Sequence, residues 1–268
     1  MAEATVGMHL DVPVMIVVSI IVLGMGLDGE IGRIDGLLLL SGLVYYTLRL
    51  FRSSQAEEGA AGADTDQEAG NEKVRLGPQI ALVAMGLVLL VAGSSWFVGA
   101  AVDLARVFGV DELVIGLTIV AAGTSLPELT TSILASIRGE RDIAVGNVIG
   151  SNIFNLLGVL GVAGILAPQG VPMSLGVMTF DIPFMIAVAL ATLPIFFAKQ
   201  LLGRWEGAVF VLAYVGYVTW LVVDATNHSM RDELLFVVTR FAVPIVILTL
   251  TGSTIRALRQ GRADRAAS

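Results

Sequence analysis

Residues 123–128 read Gly123-Thr124-Ser125-Leu126-Pro127-Glu128, inside an apolar stretch, 113–137, whose only charged residue is Glu128. A charged side chain near the centre of a bilayer costs at least about 2.5 kcal/mol on insertion scales, so its presence points to an ion pathway. Pro127 has no N–H to donate and, with Thr124 and Ser125 before it, interrupts the helix; the freed backbone must find a partner or line a cavity. Carboxylate, hydroxyl and carbonyl oxygens in one short segment are suited to coordinating a cation. A capping box describes the same residues, with Ser125 as N-cap, Pro127 in the first turn and Glu128 at the third helical position. Capping explains the geometry but leaves the desolvated carboxylate unanswered. A cation or a proton answers it, and the positive end of the helix favours ionised Glu128 when neither is bound.

A second polar cluster follows the tight turn 138–142. Gly146-Asn-Val-Ile-Gly-Ser-Asn-Ile-Phe-Asn155 lies in the next apolar run. Asn147, Ser151 and Asn155 recur every four residues and so share one helical face, with Asn152 beside them. Gly146 and Gly150 form a small-x-x-x-small pair that admits close approach of another helix. Interhelical hydrogen bonding alone would account for such a seam. It is equally the oxygen-rich wall that hard cations require.

These motifs need membrane helices to position them. Of 268 residues, 56% are hydrophobic and 15% charged, with mean hydropathy +0.85, which excludes an ordinary soluble domain. Apolar windows long enough to cross a bilayer fall at about 12–27, 36–51, 77–102, 113–137, 143–166, 171–198 and 207–223, with a weaker eighth at 236–255. The absence of cysteine excludes disulfides and thiolate chemistry. His9 and His228 lie outside the windows, so neither anchors a buried metal site or a hydrolase at membrane depth, and no residues support an enzyme. Nor does any basic, aromatic-interleaved surface suggest nucleic acid. Six acids between 57 and 72 stand among Ala, Gly, Ser and Gln, and read as a disordered, solvated loop. With eight spans, twelve Lys and Arg residues fall on one side and four (Arg33, Arg106, Arg231, Arg240) on the other. That bias places both termini and the acidic loop in the cytoplasm, with a prokaryotic cytoplasmic membrane as the expected location.

The chain also repeats itself. Asp11-Val-Pro-Val-Met-Ile16 matches Asp181-Ile-Pro-Phe-Met-Ile186, and Gly32-Arg-Ile-Asp-Gly36 matches Gly203-Arg-Trp-Glu-Gly207, each leading into an apolar helix with two tyrosines. Five spans separate the starts of the two copies, and an odd number reverses the chain's direction through the membrane. Inverted repeats of this kind place a binding site near the midplane at their interface. Three helices precede the matched pair in the second copy and none precede Asp11, so the first copy is expected to lack its first three helices. The expected domains are 1–52, the last two helices of the first repeat; 53–76, an acidic cytoplasmic linker; 77–223, a complete second repeat of five helices; and 224–268, an extra helix with a basic tail.

Together, Gly123-Thr-Ser-Leu-Pro-Glu128 and Gly146-Asn-Val-Ile-Gly-Ser-Asn-Ile-Phe-Asn155 resemble the second alpha-repeat signature of the sodium/calcium exchanger family, within the calcium:cation antiporters. Residues 94–105 and 114–120 resemble it too, and the resemblance spans nearly all of 11–223. It implies an all-α polytopic membrane protein of inverted-repeat antiporter fold, here with about seven to eight transmembrane helices and an incomplete first repeat. It further implies Ca²⁺ exchange against Na⁺ or H⁺ by alternating access, with transported ions and no cofactor. Carried over by position, Glu128 is the principal carboxylate shared by Ca²⁺ and Na⁺. Thr124, Ser125 and Ser151 contribute oxygens, and the Ala121 carbonyl lines a Na⁺ site. Asn155 occupies a position that is acidic in some members, so its amide lowers the charge of the site; Glu128, Ser151 and Asn155 form the expected metal set. Gly123, Pro127, Asn147, Gly150 and Asn152 are expected to support it. One carboxylate with amides makes a poor Ca²⁺ cage, so the chain is expected to hold half a site, with a partner chain supplying the missing first alpha-repeat. The competing expectation is a non-transporting, truncated or assembly-dependent membrane protein that retains the fold.

Overall fold

The computed structural model describes residues 4–62, 76–198 and 204–226. Helix α1 (Ala4–Met25) and helix α2 (Arg33–Gly62) are joined by a 3-10 turn, Gly26–Asp28, and a short strand β1 (Glu30–Ile31). Helix α3 (Leu76–Val107) is followed by a broken segment: α4 (Glu112–Ile115), a π-helical turn (Gly116–Val120), α5 (Ala121–Thr124) and α6 (Leu126–Ile137). Next come α7 (Arg141–Phe154), a second π turn (Asn155–Val159) and α8 (Leu160–Leu166), which run on as one span, Arg141–Leu166. Strand β2 (Val171–Pro172), a third π turn (Val177–Asp181), α9 (Ile182–Ala198) and α10 (Arg204–Ala225) complete the described chain.

Among the described residues, five helices are long and apolar enough to cross a membrane, and six if the bent pair 112–124 and 126–137 counts as one span; Val177–Leu193 is a shorter apolar helix. The window at 171–198 opens with a strand, because Pro172 and Gly170 terminate helix before it, and Gly170 takes a positive φ of 69°. The helix α2 extends to Gly62, so the first part of the acidic stretch continues a helix that the composition alone assigned to disorder. The rest of that stretch, and the eighth window at 236–255, lie outside the described residues.

The chain divides into two compact units, Met1–Val88 with Leu134–Ala187 and Leu89–Ile133 with Val188–Ser268. In the first, α1 packs on α7, and α2 lies along α8 and the turn before it. Lipid tails are as apolar as leucine, so such packing depends on small residues that let backbones approach. A Cβ on Gly36 would sit 2.5 Å from the Gly161 carbonyl, and one on Gly164 would sit 3.0 Å from the Gly32 carbonyl. Ile31 and Leu39 are buried around this contact. The β1 and β2 strands pair antiparallel, Glu30 with Pro172 and Ile31 with Val171, and tie the α1–α2 turn to the segment after α8.

In the second unit the α3–α4 turn is closed by Arg106, whose Nε donates to Glu112 Oε1 at 2.6 Å and whose Nη2 donates to Oε2 at 3.0 Å. Asp111 caps α4 by accepting from the Leu113 amide at 2.8 Å. These groups are exposed, so they fix the turn's geometry more than they stabilise the unit.

Candidate functional site

The apolar stretch 113–137 is one helix bent by 43° at Ser125. Three local features produce the bend. Pro127 deprives the Gly123 carbonyl of the amide that would reach it from four residues on. Ser125 leaves the helical region, with φ −93° and ψ 4°, and its amide reaches back to the Ala122 carbonyl at 3.2 Å. Its own carbonyl accepts from the Leu129 amide at 3.0 Å, which starts α6. Glu128 is therefore the third residue of α6, in its first turn and near the positive end of the helix. The residue is half-buried, and its Oε2 is shielded from solvent.

Around the break, hydroxyl protons are directed back onto the helix. Thr124 Oγ1 donates to the Ala121 carbonyl at 3.0 Å, and Thr131 Oγ1 to the Pro127 carbonyl at 2.8 Å. A hydroxyl whose proton is committed in this way still presents lone pairs, which suits it to accept a cation. Gly123 is glycine for space: its Cα is buried against α3, and a Cβ there would overlap the Val98 side chain.

On α7, Asn147 and Ser151 share one face, which Asn155 extends at the first residue of the second π turn. Ser151 Oγ donates to the Val148 carbonyl at 3.0 Å, and Asn152 Nδ2 donates to the same carbonyl at 2.7 Å. Ser151 thus presents lone pairs as Thr124 does. The opposite side of this helix, Ile149, Ile153 and Leu157, is buried. The close helix approach expected at Gly146 and Gly150 occurs instead further along, at Gly158, Gly161 and Gly164. Among the described residues, a Cβ at Gly146 or Gly150 would meet nothing within 4 Å; α1 and α2 pack on the other side of the helix.

The sequence-predicted residues fall in both units. Ala121, Gly123, Thr124, Ser125, Pro127 and Glu128 belong to the second unit, and Asn147, Gly150, Ser151, Asn152 and Asn155 to the first. Among the described residues, no group of three His, Cys, Asp or Glu side chains could hold a metal ion.

Two features escaped the sequence reading. One is the π turns beside both motifs, Gly116–Val120 before Ala121 and Asn155–Val159 starting at Asn155; π insertions are frequent at functional sites, but composition does not announce them. The other is a polar link between membrane helices: Tyr46 OH donates to Asp11 Oδ1 at 3.1 Å, in a part-buried setting. The repeat held a signal for it, since Asp11 and Asp181 match and a tyrosine follows in each copy, Tyr46 and Tyr217.

CaxA of Alkalimonas amylolytica, named for an antiporter function, is 34% identical over 223 residues, covering 81% of this chain and 68% of CaxA. The sodium/calcium exchanger MaX1 of Methanosarcina acetivorans is 39% identical over 154 residues, covering 56% of this chain and 43% of MaX1. A solved structure of the sodium-calcium exchanger NCX_Mj, soaked with Na⁺ and Sr²⁺, superposes with a TM-score of 0.61 at 28% identity, covering 78% of this chain and 64% of that one. The chain thus spans about two thirds of the length of CaxA and NCX_Mj and under half of MaX1. Residues 78–223, the stretch that carries the bent helix with Glu128 and the polar face of α7, match the sodium/calcium exchanger protein family, and the chain belongs to that family.

Proposed function

We propose that this chain carries the Glu128 half of a cation antiporter that moves Ca²⁺ against Na⁺ or H⁺ by alternating access. The observation that carries the reading is the 43° break with Glu128 in the first turn beyond it. A carboxylate there is next to freed carbonyls and to the Thr124 and Ser125 hydroxyls, and a cation compensates its desolvation. Ser151 and Asn155 complete the oxygen set, with the Ala121 carbonyl serving Na⁺. The printed name of MaX1, a sodium/calcium exchanger, supports the choice of ions.

In this reading a single carboxylate is half of a Ca²⁺ site. The ligands facing Glu128 come from another copy of the repeat. Twelve Lys and Arg residues against four support a cytoplasmic location for Arg138, Arg141 and both termini.

Equilibrium binding of ⁴⁵Ca²⁺ to the chain in lipid nanodiscs, with and without Na⁺, tests this. Glu128→Gln is nearly isosteric and removes the charge. It is expected to weaken Ca²⁺ binding by about tenfold or more and to abolish competition by Na⁺. Binding that is unchanged by the substitution would remove Glu128 from the mechanism.

A further inference from the structure

Asp11 is a carboxylate at the start of a membrane span, Asp11–Asp28, and it belongs to neither motif discussed so far. Its partner, Tyr46, stands on the next span, Arg33–Ser53. The two helices do not rest mainly on each other: α1 packs on α7, and α2 on α8 and the π turn that begins at Asn155. The Tyr46–Asp11 hydrogen bond therefore links two helices that are each seated on the helix bearing Asn147, Ser151 and Asn155.

Its depth follows from the packing register. Gly32 meets Gly164, Gly36 meets Gly161, and Gly42 meets Leu157, with helix α2 antiparallel to α8. One turn further along α2 is Tyr46, and one turn back from Leu157 is Ile153, which is fully buried. Tyr46 is thus level with Ile153, midway between Ser151 and Asn155. The hydrogen bond lies at the depth of the polar face, on the side of the helix where α1 and α2 pack. At this depth the second π turn begins, and a π turn is a weak point because its hydrogen-bond ladder is out of step with the flanking α-helix. A helix in lipid gains little from burial alone, so a polar link at membrane depth has a large share in fixing its neighbours.

We propose that Asp11 and Tyr46 form a positioning pair for the cation-site helix: their hydrogen bond holds α1 and α2 as one backing surface, which sets the register and depth of Ser151 and Asn155. The pair does not touch the cation. This inference rests on the cation-site reading above. The repeat places Asp181 and Tyr217 at the matching sequence positions of the second copy.

The test compares Tyr46→Phe, Asp11→Asn, Asp11→Leu and Glu128→Gln in the chain reconstituted in nanodiscs, by amide hydrogen exchange over 147–159 and by ⁴⁵Ca²⁺ binding. Tyr46→Phe and Asp11→Leu are expected to speed exchange over 147–159 and weaken Ca²⁺ binding by about fivefold to tenfold, without changing the number of sites. Asp11→Asn keeps an oxygen that accepts the tyrosine proton and is expected to behave like the unsubstituted chain. Unchanged exchange in Tyr46→Phe overturns the proposal whatever the cation data show. So does faster exchange with unaltered Ca²⁺ affinity, provided Glu128→Gln weakens it. Asp11→Asn proving as damaging as Asp11→Leu would also overturn it, because charge rather than position would then be the requirement. If Tyr46→Phe speeds exchange while Ca²⁺ binding is indifferent to Glu128→Gln, the cation-site reading fails and the structural link stands.

Discussion

At the scale of single residues, the site depends on where protons and Cβ atoms are absent. Pro127 lacks the amide proton that would close the helix, and Thr124 and Ser151 commit their hydroxyl protons to carbonyls of their own helices. What remains facing outward is lone pairs, which is what a hard cation binds. Gly123 lacks the Cβ that would overlap Val98 on α3. Gly123→Ala is therefore expected to destabilise the chain by about 1–3 kcal/mol, the usual range for overpacking. Adding Val98→Ala restores the space and should recover most of the loss, read as the midpoint of thermal unfolding in detergent. A single substitution without effect would mean that α3 does not constrain the break. The hexapeptide was legible in the sequence because a lone carboxylate in an apolar run is conspicuous. The contact with Val98 was not, since it joins residues 25 apart in sequence through a packing that no local pattern encodes.

At the scale of elements, the close approach of α2 and α8 sets the first unit. The Gly161 carbonyl lies only 2.5 Å from where a Cβ on Gly36 would be, and backbone cannot yield as a side chain end can. Gly36→Ala is expected to destabilise by roughly 2 kcal/mol or more, even though alanine is the better helix former. On α3, Gly86 faces open space, so Gly86→Ala should be neutral or stabilise by up to about 1 kcal/mol. Thermal unfolding of the two variants side by side separates packing from propensity, and equal shifts would refute the packing argument. The sequence pointed to Gly146 and Gly150 as the small-residue contact. Within the first unit the close approach is at Gly158, Gly161 and Gly164, because a small-x-x-x-small pattern marks where close approach is permitted and leaves open which permitted place a neighbour uses. The start of helix at 171 was missed for a related reason. Hydropathy does not distinguish a strand of two residues, paired with Glu30 and Ile31, from the first turn of a helix.

At the scale of the whole molecule, the distribution of Lys and Arg gives the proposed orientation a direct check. The absence of cysteine makes the chain ready for single-cysteine labelling. With an impermeant maleimide on intact cells, Phe108→Cys in the α3–α4 turn is expected to react from outside. Glu140→Cys, in the turn before α7, is expected to react only after the membrane is opened. The reverse pattern would invert the topology and overturn the charge argument. Family and membrane helices were determined by the sequence itself, because burial in lipid imposes long apolar runs. An internal repeat was legible too, as two motifs recurring 170 to 171 residues apart. Tertiary structure alone decided the glycine contacts that seat α2 on α8 and the Tyr46–Asp11 bond. Each of these depends on which backbone lies against which. Hydropathy records how much of a helix faces lipid or protein, and it carries no information about the neighbour.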